Sequence, residues 1–148
     1  MATVRLTRNY RFSASHRLNL PELSFEENQR LFGKCNNPYG HGHNYVMAIT
    51  VEGPVNAATG LVVDPAALDA IVHEEVIAHY DHKYLNQDLP EFATLTVTTE
   101  NMAANIRDRL RAAWPESFPA LAHIRVQETK RNVIELPWNP FAFWIRSH

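Results

Sequence analysis

The chain has 148 residues, 45% hydrophobic and 20% charged, and we expect one globular domain over residues 1–148 with no linker. A formal net charge of -2 supplies no basic field for nucleic acid or an anionic membrane, and no apolar run is long enough to span a bilayer. The N-terminus lacks a signal-peptide pattern and the single cysteine forbids an internal disulfide, so the expectation is a cytoplasmic protein with a small-molecule partner.

From Val4 to His16 the even positions read Val, Leu, Arg, Tyr, Phe, Ala, His, the alternation of a strand with one mostly apolar face, and His16 falls on that face. A polar stretch from Pro21 to Arg30 reads as a long loop. Beyond it His41, His43, Tyr45, Met47, Ile49 and Val51 share one side of a second strand. Asp64-Pro65 is an N-cap followed by proline at the first helical position, and Leu68, Ile71, Val72 and Val76 carry that helix toward His79 to Asp81. Thr98-Thr99-Glu100 caps a second helix, with Met102, Ile106, Leu110 and Trp114 every fourth residue and Pro115 as the stop. Strands at about Ala122 to Thr129 and Val133 to Trp138 close the chain. The order β-β-α-α-β-β predicts an α+β domain: a four-stranded antiparallel sheet with two helices on one face. Apolar residues on its other face predict a covering subunit.

Eight histidines make that residue the compositional outlier. His41-Gly42-His43 puts two imidazoles on one face of a strand, about 6 to 7 Å apart at the backbone, where both can reach one ion. Glycine between them leaves the surrounding space open. His16, on the apolar face of the preceding strand, is the best third ligand. Three imidazoles with an open fourth position is the catalytic zinc arrangement, although His-x-His also occurs where no metal binds.

Cys35 lies six positions before His41, and Asn36-Asn37-Pro38-Tyr39-Gly40 has the composition of a turn able to bring the thiol toward the metal. Zinc and Lys34 would both favour a thiolate base, whereas a lone cysteine also serves as a small buried hydrophobe. Asp81 beside His82 suits proton transfer, or a histidine placed for the helix dipole. Glu128 shares a face with Ile124 and Val126, so its carboxylate needs a partner: a ligand's N–H groups, or Lys130 or Arg131. Capping alone accounts for Thr98, Thr99 and Glu100. The aromatic tail from Pro137 to Trp144 reads as packing or a subunit contact.

Taken together, Phe12-Ser13-Ala14-Ser15-His16-Arg17-Leu18 and Phe32-Gly33-Lys34-Cys35-Asn36-Asn37-Pro38-Tyr39-Gly40-His41-Gly42-His43-Asn44-Tyr45 resemble the 6-pyruvoyltetrahydropterin synthase family. Asp81-His82-Lys83-Tyr84-Leu85, Thr98-Thr99-Glu100-Asn101 and Glu128-Thr129 follow in that family's order and spacing, so the resemblance covers roughly residues 4–136. It implies the tunnelling fold, in which the sheets of three subunits form a barrel and two trimers stack into a homohexamer with active sites between subunits. It further implies one zinc ion per subunit on His16, His41 and His43, with Cys35 as general base and Asp81 and His82 assisting proton transfer. Glu128 would anchor the pterin ring, with Thr98, Thr99 and Glu100 in the pterin pocket. The implied lyase reaction converts 7,8-dihydroneopterin triphosphate to 6-pyruvoyltetrahydropterin, expelling tripolyphosphate, with magnesium also required. Lys34, Arg11 and Arg17 are candidates to meet the triphosphate. Lys130-Arg131 and the end from Pro137 to His148 depart from the family's pattern.

Two rivals are related. The 6-carboxytetrahydropterin synthases of queuosine biosynthesis use the same starting compound, but their cysteine usually lies closer to His-Gly-His. A relative that makes a folate precursor usually has glutamate in place of the cysteine. From another class, a non-catalytic zinc- or pterin-binding protein would have no need for a thiol, an Asp-His pair and an open metal site together.

Overall fold

The computed structural model describes residues 2–137. Trp138, the expected end of the last strand, and the aromatic tail beyond it lie outside the described residues. The elements run β1 (Thr3–His16), α1 (Phe25–Phe32), a 3-10 turn (Gly33–Asn36), β2 (His41–Pro54), α2 (Pro65–Val72), a π turn (His73–Ile77), α3 (Ala78–Tyr80), β3 (Lys83–Tyr84), α4 (Leu85–Asp88), a 3-10 turn (Pro90–Phe92), α5 (Thr99–Ala113), β4 (Ala120–Gln127) and β5 (Val133–Pro137). The class is α+β.

β1 and β2 pair antiparallel along their whole lengths, with Ala14 opposite His43 and His16 opposite His41. Opposed residues in such a ladder share a face, so Phe12, Ala14, His16, His41, His43 and Tyr45 lie on one side of the sheet. β4 joins β2 and β5 joins β4, both antiparallel. The sheet has five strands and is mixed, in the order β3-β1-β2-β4-β5, which corrects the expected four-stranded antiparallel sheet. The added strand is the two-residue β3, parallel to β1 at Ala14 and Ser15. Two residues carry no periodicity to read; β3 exists because the backbone before it is bound to β1, His82 N–H donating to the Ser13 carbonyl at 2.6 Å.

The second correction concerns Pro21 to Arg30, expected as loop, which contains most of α1. The Ser24 hydroxyl accepts from Glu27 N–H while the Glu27 carboxylate accepts from Ser24 N–H, a capping box that satisfies two otherwise orphaned donors. That Ser-x-x-Glu signature was legible in the sequence, but it opens a helix of only eight residues, in which Phe25 and Leu31 are exposed. The two long helical segments form as expected: Asp64 caps α2, with Pro65 at its first position, and Thr98 caps α5. Their buried residues Leu68, Val72, Val76, Met102, Ile106 and Leu110 pack with Met47, Ile49, Val51, Ile124 and Val126 of the sheet to make the core. Burying such side chains contributes roughly 1.5 to 3 kcal/mol each before chain entropy is counted.

The opposite face of the sheet is mostly polar. Arg5 pairs with Glu52, the Thr7 and Thr50 hydroxyls are hydrogen-bonded, Ser13 donates to Asn44, and Glu135 faces His123 and Arg125. Val46 and Ala48 are the apolar residues of β2 on that side, fewer than expected.

Candidate active site

The face-sharing register of β1 and β2 delivers three histidines to one end of the sheet, above the core. His16 is fully buried, and its Nδ1 lies 2.8 Å from the carbonyl oxygen of Val97. A carbonyl only accepts, so Nδ1 carries the proton and Nε2 presents a lone pair. That Nε2 is buried without a hydrogen-bond partner. Burial lowers the pKa of both His16 and His43, keeping the imidazoles neutral, the form that ligates metals.

Facing this orphaned nitrogen are Cys35 and His43: one ligand atom from each of His16, Cys35 and His43 lies within 4.8 Å of the others. Cys35 Sγ is 3.7 Å from His43 Nε2. The donor set fits a divalent metal ion, because a buried unpartnered imidazole nitrogen costs free energy unless something accepts its lone pair. His41 stands beside this group, its ring edge-on to that of His43 with centroids 4.7 Å apart. At the site, Gly40 has a steric reason: its φ is +84°, and a Cβ there would stand 3.0 Å from the His16 carbonyl oxygen. Gly42, between the two histidines, would meet only ordinary contact.

Cys35 sits in the 3-10 turn after α1, half-buried, and burial followed by the charge of Glu128 pushes its thiol above the ordinary 9.0. Lys34 points to solvent. The thiol opens into a cavity of about 330 Å³ shared with Thr98, Thr99, Glu100, Glu128, Leu18, Leu31, Phe32 and Asn132. Glu128, just beyond β4, is nearly buried; its Oε2 accepts a hydrogen bond from the Thr99 hydroxyl and its Oε1 stands 3.8 Å from His43 Nε2. The two threonines therefore divide the work: Thr98 caps α5 and Thr99 holds Glu128.

Asp81 and His82 lie elsewhere. His82 lines, with Ser13, Ser15, Gly42, His43, Asn44 and Lys83, a second cleft of about 480 Å³, and Asp81 adjoins it through Ser13. Asp81 Oδ1 accepts from Ser13 N–H at 2.9 Å, and Asp81 Oδ2 is 3.5 Å from His82 Nε2. His82 is 83% exposed and has a φ of +58°, unusual for a residue with a Cβ. Sequence reasoning missed the Val97 carbonyl and the apolar wall of Leu18, Leu31 and Phe32, because each reaches the site only through folding.

A profile of the family described as 6-pyruvoyl tetrahydropterin synthase matches residues 5–137. The chain belongs to this family. It is 45% identical over 129 residues to 6-pyruvoyl tetrahydrobiopterin synthase of Poecilia reticulata, across 87% of this chain and 86% of that protein. Against the enzyme of the same name from Homo sapiens it is 45% identical over 130 residues, 88% of each chain. The solved structure of Caenorhabditis elegans 6-pyruvoyl tetrahydropterin synthase superposes with a TM-score of 0.84 at 36% identity, covering 94% of this chain and 98% of that one. The five-stranded sheet and its helices thus share the fold of that solved structure. No helix among the described residues is long and apolar enough to cross a membrane.

Proposed function

We propose that this chain is a cytoplasmic lyase that converts 7,8-dihydroneopterin triphosphate to 6-pyruvoyltetrahydropterin with loss of tripolyphosphate, a step of tetrahydrobiopterin biosynthesis. The observation that carries the reading is the orphaned His16 Nε2 facing Cys35 and His43 beside the Thr99–Glu128 cavity, in a chain of this family.

In this reading His16, His41 and His43 hold one zinc ion per subunit. When bound, zinc supplies a Lewis acid for the substrate's side-chain hydroxyls, acidifying the neighbouring C–H, and a positive charge that favours the thiolate. Cys35, as the thiolate, takes the proton from the side-chain carbon; burial and then the charge of Glu128 disfavour that ionised form, and the positive charge would oppose them. Glu128 anchors the pterin. With Oε2 fixed by the Thr99 hydroxyl, the carboxylate is held in one orientation, and its remaining acceptor capacity suits the ring's N–H groups. Thr98 and Glu100 border the same cavity, and magnesium accompanies the triphosphate.

Asp81 and His82 assist proton transfer from a neighbouring copy. The place of His82 in a different cleft from Cys35, together with its exposure, supports active sites shared between subunits. β1 from Thr3 to Phe12 has no strand on its side away from β2 among the described residues, nor has β5 on its outer side, so both edges are open for pairing between copies. Three such sheets would close into a barrel, and two barrels would stack into a hexamer.

The test is to incubate zinc-loaded protein with 7,8-dihydroneopterin triphosphate and magnesium and identify the products by mass spectrometry. A pyruvoyl side chain with tripolyphosphate supports the reading. A carboxyl product with acetaldehyde places the chain with the queuosine enzymes instead, and no product rejects both.

A further inference from the structure

The thiol of Cys35 belongs to a turn with little structure of its own. The 3-10 turn spans four residues, Gly33–Asn36, and enters through Gly33 at a φ of +55° with open space where a Cβ would sit. Short 3-10 turns have poor internal hydrogen bonding, so outside contacts fix their position.

Those contacts converge on Asn36, which is 1% exposed. Its Nδ2 donates to the Leu18 carbonyl at 2.7 Å and to Asn19 Oδ1 at 3.0 Å, while its Oδ1 accepts from Gln29 Nε2 of α1 at 2.9 Å. Both amide hydrogens and the carbonyl oxygen are used. The adjoining Cys35 carbonyl accepts from Leu18 N–H at 2.7 Å. The turn is therefore tied, at the thiol residue and at the next one, to the chain two residues beyond His16. The α1 side of the clamp is itself anchored. Asn28, 3% exposed, accepts from Leu20 N–H at 2.7 Å and donates to the Leu20 and Ser24 carbonyls at 3.0 Å each.

We propose that Asn36 is a positioning residue, which sets the reach of the Cys35 thiol into the cavity by locking its turn to the exit of β1 and, through Gln29, to α1. The inference rests on the reading of Cys35 as the proton acceptor. Asn36 touches neither metal nor substrate in this scheme; it fixes a distance. A displacement of about 1 Å in a catalytic group can cost about a hundredfold in rate. A residue that only held the scaffold together would affect stability, metal and substrate binding alike.

The experiment compares wild type, Asn36→Ala, Asn36→Asp, Gln29→Leu and Cys35→Ala as zinc-loaded full-length chains. It measures kcat, KM, bound zinc, the thermal midpoint and the rate at which iodoacetamide alkylates Cys35. Asn36→Ala should lower kcat about tenfold or more with KM within about twofold and zinc retained. Alkylation should accelerate as the turn loosens. Asn36→Asp keeps the acceptor for Gln29 but loses both donors, and should resemble Asn36→Ala. Gln29→Leu removes only the α1 tether and gives a smaller kcat loss of the same kind; it decides the matter if the Asn36 variants do not fold. Unchanged kcat and alkylation in a folded Asn36→Ala, or in Gln29→Leu where the Asn36 variants do not fold, overturns the proposal, as does a loss shared equally by KM and zinc content. If Cys35→Ala retains turnover while Asn36→Ala still accelerates alkylation, the assignment of Cys35 as base has failed and the placement of the thiol by Asn36 stands.

Discussion

The backbone carbonyl of Val97 accepts a 2.8 Å hydrogen bond from His16 Nδ1, so a loop 81 positions away in sequence selects which nitrogen of that imidazole faces the cluster. Such outer partners commonly set the tautomer and orientation of a metal-binding histidine. His16→Ala removes the buried lone pair, and the variant should purify without stoichiometric zinc. Chelation with EDTA should lower the thermal midpoint of wild type and leave that of the variant unmoved. Full zinc occupancy in His16→Ala would remove this residue from the ligand set.

Cys35 Sγ approaches His43 closely enough to be either a ligand or a base. The proposed division of labour predicts that Cys35→Ala keeps zinc and substrate binding and loses turnover by about a hundredfold or more. Metal analysis of the variant beside its kcat separates the two roles, since loss of zinc together with activity would make the thiol a ligand.

Glu128 is oriented by Thr99, and the pair should act mainly on binding. Glu128→Ala should weaken pterin affinity, and Thr99→Val should do so to a smaller degree because it frees the carboxylate without removing it. One lost charge-assisted hydrogen bond corresponds to about 1.5 to 3 kcal/mol. Isothermal titration with a pterin product analogue measures both; equal affinity for wild type and Glu128→Ala would end the anchoring role.

Asp69 ties α2 to β1. It accepts hydrogen bonds from Arg8 Nε and Nη2 at 2.8 Å each and from the Tyr10 hydroxyl at 2.7 Å. The Arg8 hydrogen bonds, followed by that of Tyr10, hold its carboxyl below the ordinary 3.8. A carboxyl lowered on folding adds stability that is complete above its unfolded value and is lost as pH falls through the folded one. Asp69→Asn should therefore flatten the stability profile below pH 3.8. The effect should be small, because the Arg8 and Asp69 side chains are 37% and 41% exposed and solvent screens the pair. Thermal melts across acid pH, with identical slopes for the two proteins, would rule out the contribution.

The features legible before folding are those that local chemistry sets. Alternation placed His16, His41 and His43 on core-facing strand positions, Asp64-Pro65 and Thr98 announced the two main helices, and motif order pointed to the family. β3 escaped notice because two residues have no period, and α1 because its eight residues, with Phe25 and Leu31 exposed, lie within a stretch that is mostly polar.

Sequence alone thus determined the strand and helix periodicities and the residue types available for chemistry, since these follow from side-chain direction along each element. Only tertiary structure decided that Cys35 joins His16 and His43, that Thr99 turns from the helix cap to Glu128, and that His82 opens into a different cleft. Those outcomes depend on strand register and on long-range hydrogen bonds such as that from His16 to Val97, whose partners no local pattern encodes.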